Sequence, residues 1–140
     1  MKFVSASLKL AVLTTALFTI PVFAQRVVIA RADIPFTFQV GGKSLPAGQY
    51  TLVGNPGSLI MTVQGASGQP SVMTFAGPCH KTVGPDVAKL TFNVYGNVRF
   101  LKDVWIPDGS GRSLTTSKAE REAAKAHTAY EVALLVVPAQ

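Results

Sequence analysis

Residues 89–106, KLTFNVYGNVRFLKDVWI, decide the fold class. Leu90, Phe92 and Val94 alternate with Thr91 and Asn93, the period of two that marks a strand with one buried face. Tyr95-Gly96-Asn97 supplies a turn, and a second run rich in β-branched and aromatic residues follows, so the stretch predicts an antiparallel hairpin. Two registers compete. A two-residue Gly96-Asn97 loop pairs Tyr95 with Val98, puts Phe92 on the face of Leu101 and leaves Arg99 beside Val94. A three-residue loop pairs Val94 with Val98 and Phe92 with Phe100, which keeps every apolar residue near the turn on one face. Register follows the apolar face, so the three-residue loop with a bulge is expected. The neighbours Phe100-Leu101 and Val104-Trp105-Ile106 then demand a second irregularity or burial on both faces.

The same grammar runs outward from the hairpin. Ile34, Phe36, Phe38 and Val40 share a face opposite Asp33, Thr37 and Gln39. Tyr50 and Leu52 alternate with Gln49 and Thr51, and Leu59, Met61 and Val63 with Thr62 and Gln64, Ile60 breaking the pattern. Pro35 cannot donate to a ladder and marks an edge or a bulge. Turn signals fall at Gly41-Gly42, Pro46-Ala47-Gly48, Asn55-Pro56-Gly57, Ala66-Ser67-Gly68, Gly77-Pro78, Gly84-Pro85 and Pro107-Asp108-Gly109. Such gaps leave no room for helical crossovers, so parallel βαβ units are disfavoured. The expected class is mainly β: an antiparallel β-barrel or sandwich of about seven to eight short strands with one short C-terminal helix.

That helix is expected near 117–127. Ser117-x-x-Glu120 has capping-box spacing, and the residues that follow are good helix formers. Its apolar side reads as Ala119, Ala123 and Ala126, with Lys118, Glu120, Arg121, Glu122 and Lys125 as the wet face and Lys118–Glu122 at i,i+4. A final strand is expected near 130–137. It is apolar on both faces except for Glu131, which suggests cover on both sides or an outer face that meets a partner, with edge-to-edge pairing as the route.

Thirteen Lys and Arg oppose seven Asp and Glu over 140 residues. Met1 to Ala24 reads as a cleavable secretory signal peptide: Lys2 and Lys9, the apolar run Leu10 to Ile20, then Pro21 and Val22-Phe23-Ala24. The run is about half the roughly 20 residues a spanning helix needs, and no Cys offers a lipid anchor. Residues 25–140 then form a single domain, exported to the periplasm or beyond and soluble. It is 116 residues long, with eleven basic and seven acidic side chains. So few charges amid abundant Val, Phe and Leu exclude disorder as the main state. Strands of five to seven residues are short for an outer-membrane barrel, which needs about 9–11.

Little in the chain carries chemistry. One cysteine excludes an internal disulfide framework and a multi-Cys zinc site. There is no P-loop and no H-E-x-x-H, and Gly65-Ala66-Ser67-Gly68 lacks nucleophile-elbow spacing. Cys79-His80 is the one adjacent reactive pair, but neighbours on a strand point to opposite faces. It therefore reads as a small hydrophobe beside a loop histidine, with an intermolecular disulfide as the rival. Asp108-Gly109-Ser110-Gly111-Arg112 offers one carboxylate where a calcium loop needs several oxygens. Scattered cations without interleaved aromatics make no nucleic-acid platform. Trp105 reads as core. No catalytic, cofactor-binding or metal residues are assigned.

Ile34-Pro35-Phe36-x-Phe38-x-Val40, Leu45-Pro46-Ala47-Gly48-x-Tyr50, Leu90-x-Phe92-x-x-Tyr95-Gly96-Asn97, Phe100-Leu101, Trp105, Gly111-Arg112-x-Leu114 and Ser117-x-x-Glu120 together carry a resemblance. Over most of Ala32 to Ala124 the chain resembles small exported, uncharacterised β-domain proteins common in acidobacterial genomes. The resemblance implies a β fold and export and supplies no catalytic residues; Cys79-His80 lies outside its pattern. The expected function is a non-enzymatic exported module acting through protein contacts, with a protein partner or as a homo-oligomer through strand edges. The alternatives are a small barrel binding an apolar ligand between Phe36, Phe38, Phe92 and Phe100, and a hydrolase built on Cys79 and His80.

Overall fold

The computed structural model describes residues 26–55, 57–80, 88–107, 109–135 and 137–138. The signal peptide assigned to 1–24 and the turn at Gly84-Pro85 lie outside the described residues. In chain order the elements are β1 (Val27–Ile34), β2 (Phe38–Val40), β3 (Lys43–Leu45), β4 (Gly48–Gly54), β5 (Ile60–Gly65), β6 (Val72–His80), β7 (Lys89–Tyr95), β8 (Val98–Trp105), β9 (Ser110–Leu114), α1 (Lys118–Ala126), β10 (Tyr130–Leu135) and β11 (Val137–Pro138). Eight strands have five residues or more and three are minimal, in line with the alternation read from the sequence.

The hydrogen-bonded order is β10-β7-β8-β9-β6-β5-β4-β1-β11, a path that does not close on itself, so the architecture is sandwich-like. Two segments pass between its layers. Val72 to Phe75 of β6 pair with β5, and Ala76 to His80 pair with β9. The C-terminal segment pairs with β7 through β10 and with β1 through β11. The ladders are antiparallel throughout, except for a single parallel bridge between Gln39 and Phe100. Pro35 sits where the chain leaves β1 for β2, which belongs to the other layer. A residue without an N–H is well suited to a place where the ladder stops.

The core follows the alternation. Ile34, Phe38, Val40, Tyr50, Leu52, Met61, Val63, Leu90, Phe92 and Val104 are buried in one cluster. Its aromatics meet edge to face: Phe92 with Phe36 at 5.0 Å and with Phe38 at 5.9 Å, and Phe38 with Tyr50 at 5.1 Å. Such pairs add to plain area burial. The Tyr50 hydroxyl donates to the Pro46 carbonyl at 2.5 Å, so Leu45-Pro46-Ala47-Gly48-x-Tyr50 is a turn tied by its own buried tyrosine.

The hairpin register differs from the expected one. Tyr95 pairs with Val98, Val94 with Arg99, Asn93 with Phe100 and Phe92 with Leu101, so the loop is the two-residue Gly96-Asn97. Gly96 has φ +59, the conformation a II′ turn needs at its first central position. A register shift between Thr91 and Phe92 then brings Leu90 opposite Val104. The apolar-face rule misjudged this hairpin because both of its faces are covered. Tyr95 and Phe100, on the face away from Phe92, are buried and meet edge to face at 5.7 Å, with Tyr95 bonded to Glu120 of the C-terminal helix. Arg99, on the core face, stacks its guanidinium over Phe36 at 4.6 Å instead of burying its charge. The four phenylalanines proposed to line one space are therefore divided, with Phe100 on the far face of the hairpin.

The helix starts and stops as read. Ser117 Oγ accepts from the Glu120 amide at 3.2 Å, and His127 closes the C-terminal end by donating its amide to Ala123. Its packing face is not the alanine stripe. Ala119 and Ala126 are exposed, Ala123 is half-buried, and Glu120 is the residue turned inward.

Arg112 of β9 ties the layers together. Nη1 donates to the carbonyls of Ser58 and Ala76, and Nη2 donates to that of Asn55 at 3.0 Å. One guanidinium thus holds the β4–β5 turn against β6. Arg112→Met keeps the apolar stem and strands these carbonyls, so it is expected to lower stability by about 2 kcal/mol. A urea titration checks it, with Arg112→Lys recovering only part of the loss because a point charge cannot replace the fork.

Candidate functional site

Among the described residues, a group of interacting polar side chains lies where α1 crosses the β7–β8 hairpin. Glu120 is buried at the third position of the helix, placed there by the Ser117 cap. Its Oε1 accepts from Asn93 Nδ2 at 2.9 Å and from the Tyr95 hydroxyl at 3.2 Å. On the same face of the hairpin Thr91 donates to the buried Asp103 at 3.2 Å. Lys102 pairs with Glu131 of β10 at 3.1 Å. The buried carboxylates Asp103 and Glu120 each accept a hydrogen bond on this face, which is how buried polar groups become tolerable. The arrangement docks a helix and fixes a strand. Among the described residues no group of three or more His, Cys, Asp or Glu could hold a metal ion.

Two of these groups titrate at raised values. Burial, with Glu120 beside it as charge and hydrogen-bond acceptor, pushes the Tyr95 hydroxyl above its ordinary range. The hydrogen bond that Lys102 donates to Glu131, partly opposed by burial, holds its ammonium above the ordinary lysine range. Burial raises Tyr50 as well. For each, the fold holds its proton more tightly than the unfolded chain does. The stability this contributes is complete below the unfolded value, about 10 for tyrosine, and is lost as pH rises through the folded one. Stability is therefore expected to fall as pH rises above about 10, the unfolded tyrosine value. Tyr95→Phe should flatten that fall while costing a little at pH 8, as urea midpoints at pH 8 and above that value would show.

The residues singled out in the sequence do not converge. Cys79 and His80 are consecutive on β6, half-buried and exposed, opposite Gly111 and Ser110 of β9. Alternation turns them to opposite faces, as their spacing implied. Asp108 lies outside the described residues, and the Arg112 of the same segment is engaged by backbone carbonyls. Trp105 is buried, as read, with Gly111 directly opposite it. A Cβ on Gly111 would run into the Val104 carbonyl and the indole ring, so this glycine makes room for the tryptophan.

Sequence reading missed a surface instead. Leu59, Ile60, Met73 and Phe75 are all exposed. Ile60 lies opposite Phe75 and Thr62 opposite Met73, so Ile60, Met73 and Phe75 form one apolar area on the outer face of β5 and β6. Ile60, which broke the alternation of its strand, was the available signal. Beside Phe75 a groove of roughly 630 Å³ runs between the Gly41-Gly42 turn, Thr74 and Thr115 to Ala119. No helix among the described residues is long and apolar enough to cross a membrane. No family profile, curated protein or solved structure matches the chain.

Proposed function

We propose that this chain is a small exported domain without enzymatic activity that works through protein contacts in the periplasm, in the envelope or outside the cell. The observation that carries the reading is the outer face of β5 and β6, where three large apolar side chains, Ile60, Met73 and Phe75, stand together in solvent. Contiguous apolar area of this kind marks an interaction surface more often than a bare coat. Four of the five described carboxylates support it from the other side. Asp103 and Glu120 are consumed in helix and sheet docking, and Glu122 and Glu131 are paired with lysines. The N-terminal pattern and the resemblance to exported acidobacterial β-domain proteins support the compartment.

Two measurements test it. N-terminal sequencing of exported protein should begin at Gln25. Photo-crosslinking residues introduced one at a time at Phe75, Thr62, Tyr130 and His80 should yield a discrete protein adduct from at least one site in the producing cell. Adducts from none of them, or an intracellular chain retaining Met1, would defeat the proposal.

A further inference from the structure

Resting on that reading, we infer that the outer face of β5 and β6, with the groove beside Phe75, takes an amphipathic segment of a protein partner whose apolar side chains are flanked by carboxylates. Met73 is 68% exposed, Phe75 65% and Ile60 41%. β5 is paired on both sides, by β4 and by β6, and Val72 to Phe75 of β6 pair with β5. The exposed apolar side chains stand out of the sheet plane, so recognition at this face is by side chains.

The charge around the apolar centre gives the partner its sign. Arg26 lines one depression with Ile60, Thr62 and Met73. On the other flank Lys118 lines the groove with Phe75 and Thr74. Thr115 to Ala119 form the same wall, so the positive end of α1 opens on it. Glu122 also borders the groove, but its carboxylate is bound to Lys125 at 3.1 Å. Asp33 is exposed on β1 opposite Gln49, across β4 from the patch. The centre is thus apolar and both flanks are cationic, which complements a segment carrying Leu- or Phe-like residues between acids. A second copy would set cations against cations. A lipid surface would cover the patch and leave the concave groove beside Phe75 empty.

The test uses the purified protein and fluorescein-labelled 12-residue peptides in which leucines alternate with glutamates, leucines with lysines, or serines with glutamates. Anisotropy should show the Leu–Glu peptide binding at least tenfold more tightly than the other two, and weakening severalfold as salt rises. The double substitution Met73→Ser and Phe75→Ser should reduce that binding at least tenfold without lowering the thermal midpoint, since both residues are exposed. Arg26→Glu with Lys118→Glu should transfer the preference to the Leu–Lys peptide. Equal binding of all three peptides, no measurable binding of the Leu–Glu peptide, or full binding by the double serine variant would overturn the inference. So would sedimentation with phosphatidylglycerol vesicles in place of peptide binding, or a dimer in ultracentrifugation that the double serine variant abolishes. Cross-links from Tyr130 or His80 but none from Phe75 would sink this surface while leaving the protein-contact function standing.

Discussion

Phe92→Ala is expected to cost about 3–5 kcal/mol, the range for removing a fully buried aromatic ring. Phe92 is completely buried at the centre of β7 and meets both Phe36 and Phe38 edge to face. Its loss leaves a cavity walled by residues of both layers, and neither can collapse inward without breaking ladders. Phe36 would also lose its packing partner, and Arg99, which stacks over Phe36, would lose its platform. The effect should therefore exceed that of a ring at the edge of the core. Denaturant midpoints for Phe92→Ala, Phe92→Leu and Phe36→Ala check this. The order of loss should be Phe92→Ala, then Phe36→Ala, then Phe92→Leu, because leucine retains most of the volume and Phe36 is only half-buried.

Glu120→Ala is the second large effect, about 2–4 kcal/mol. The carboxylate is the shared acceptor of Asn93 and Tyr95, and its removal leaves two donors under the helix without partners. Because those donors belong to β7, the damage is to the docking of α1 on the hairpin and not to the helix alone. Thermal unfolding should fall by roughly 10 °C. Glu120→Gln keeps one acceptor oxygen and should lose about half as much. A double-mutant cycle of Glu120→Ala with Tyr95→Phe should give a coupling of about 1 kcal/mol, in the range for groups in one hydrogen-bond network. If α1 packs through its alanines instead, Glu120→Ala will be neutral and Ala123→Ser costly.

These two residues mark how far the sequence could be read. Phe92 was legible as core, because Leu90, Phe92 and Val94 repeat with the strand period and their burial follows from it. Glu120 was legible as part of a capping box, and Ser117 does cap it. That it faces inward was not legible. A glutamate is assigned to the wet side of a helix by hydropathy, and only the donors waiting at Asn93 and Tyr95 reverse the assignment. The hairpin register failed for a related reason. The rule that apolar residues gather on one face assumes that the other face is wet, and α1 covers it. The candidate surface around Phe75 was hidden because an exposed apolar side chain and a buried one look the same in sequence.

What the chain determined by itself was local: where strands alternate, where Gly and Pro interrupt them, where Ser117 begins a helix. Those features depend on φ/ψ preferences and on neighbours within a few residues, which the sequence states directly. Which strands pair, which register the hairpin takes, which face of α1 is buried and which apolar residues stay in water were decided by contacts between distant segments. Asn93 and Tyr95 meet Glu120 from 27 and 25 residues away, and Arg112 reaches the Asn55 carbonyl across 57. Such bonds form only when two layers are already facing one another, so the energy that selects them exists in the assembled sandwich and nowhere in a single stretch of chain.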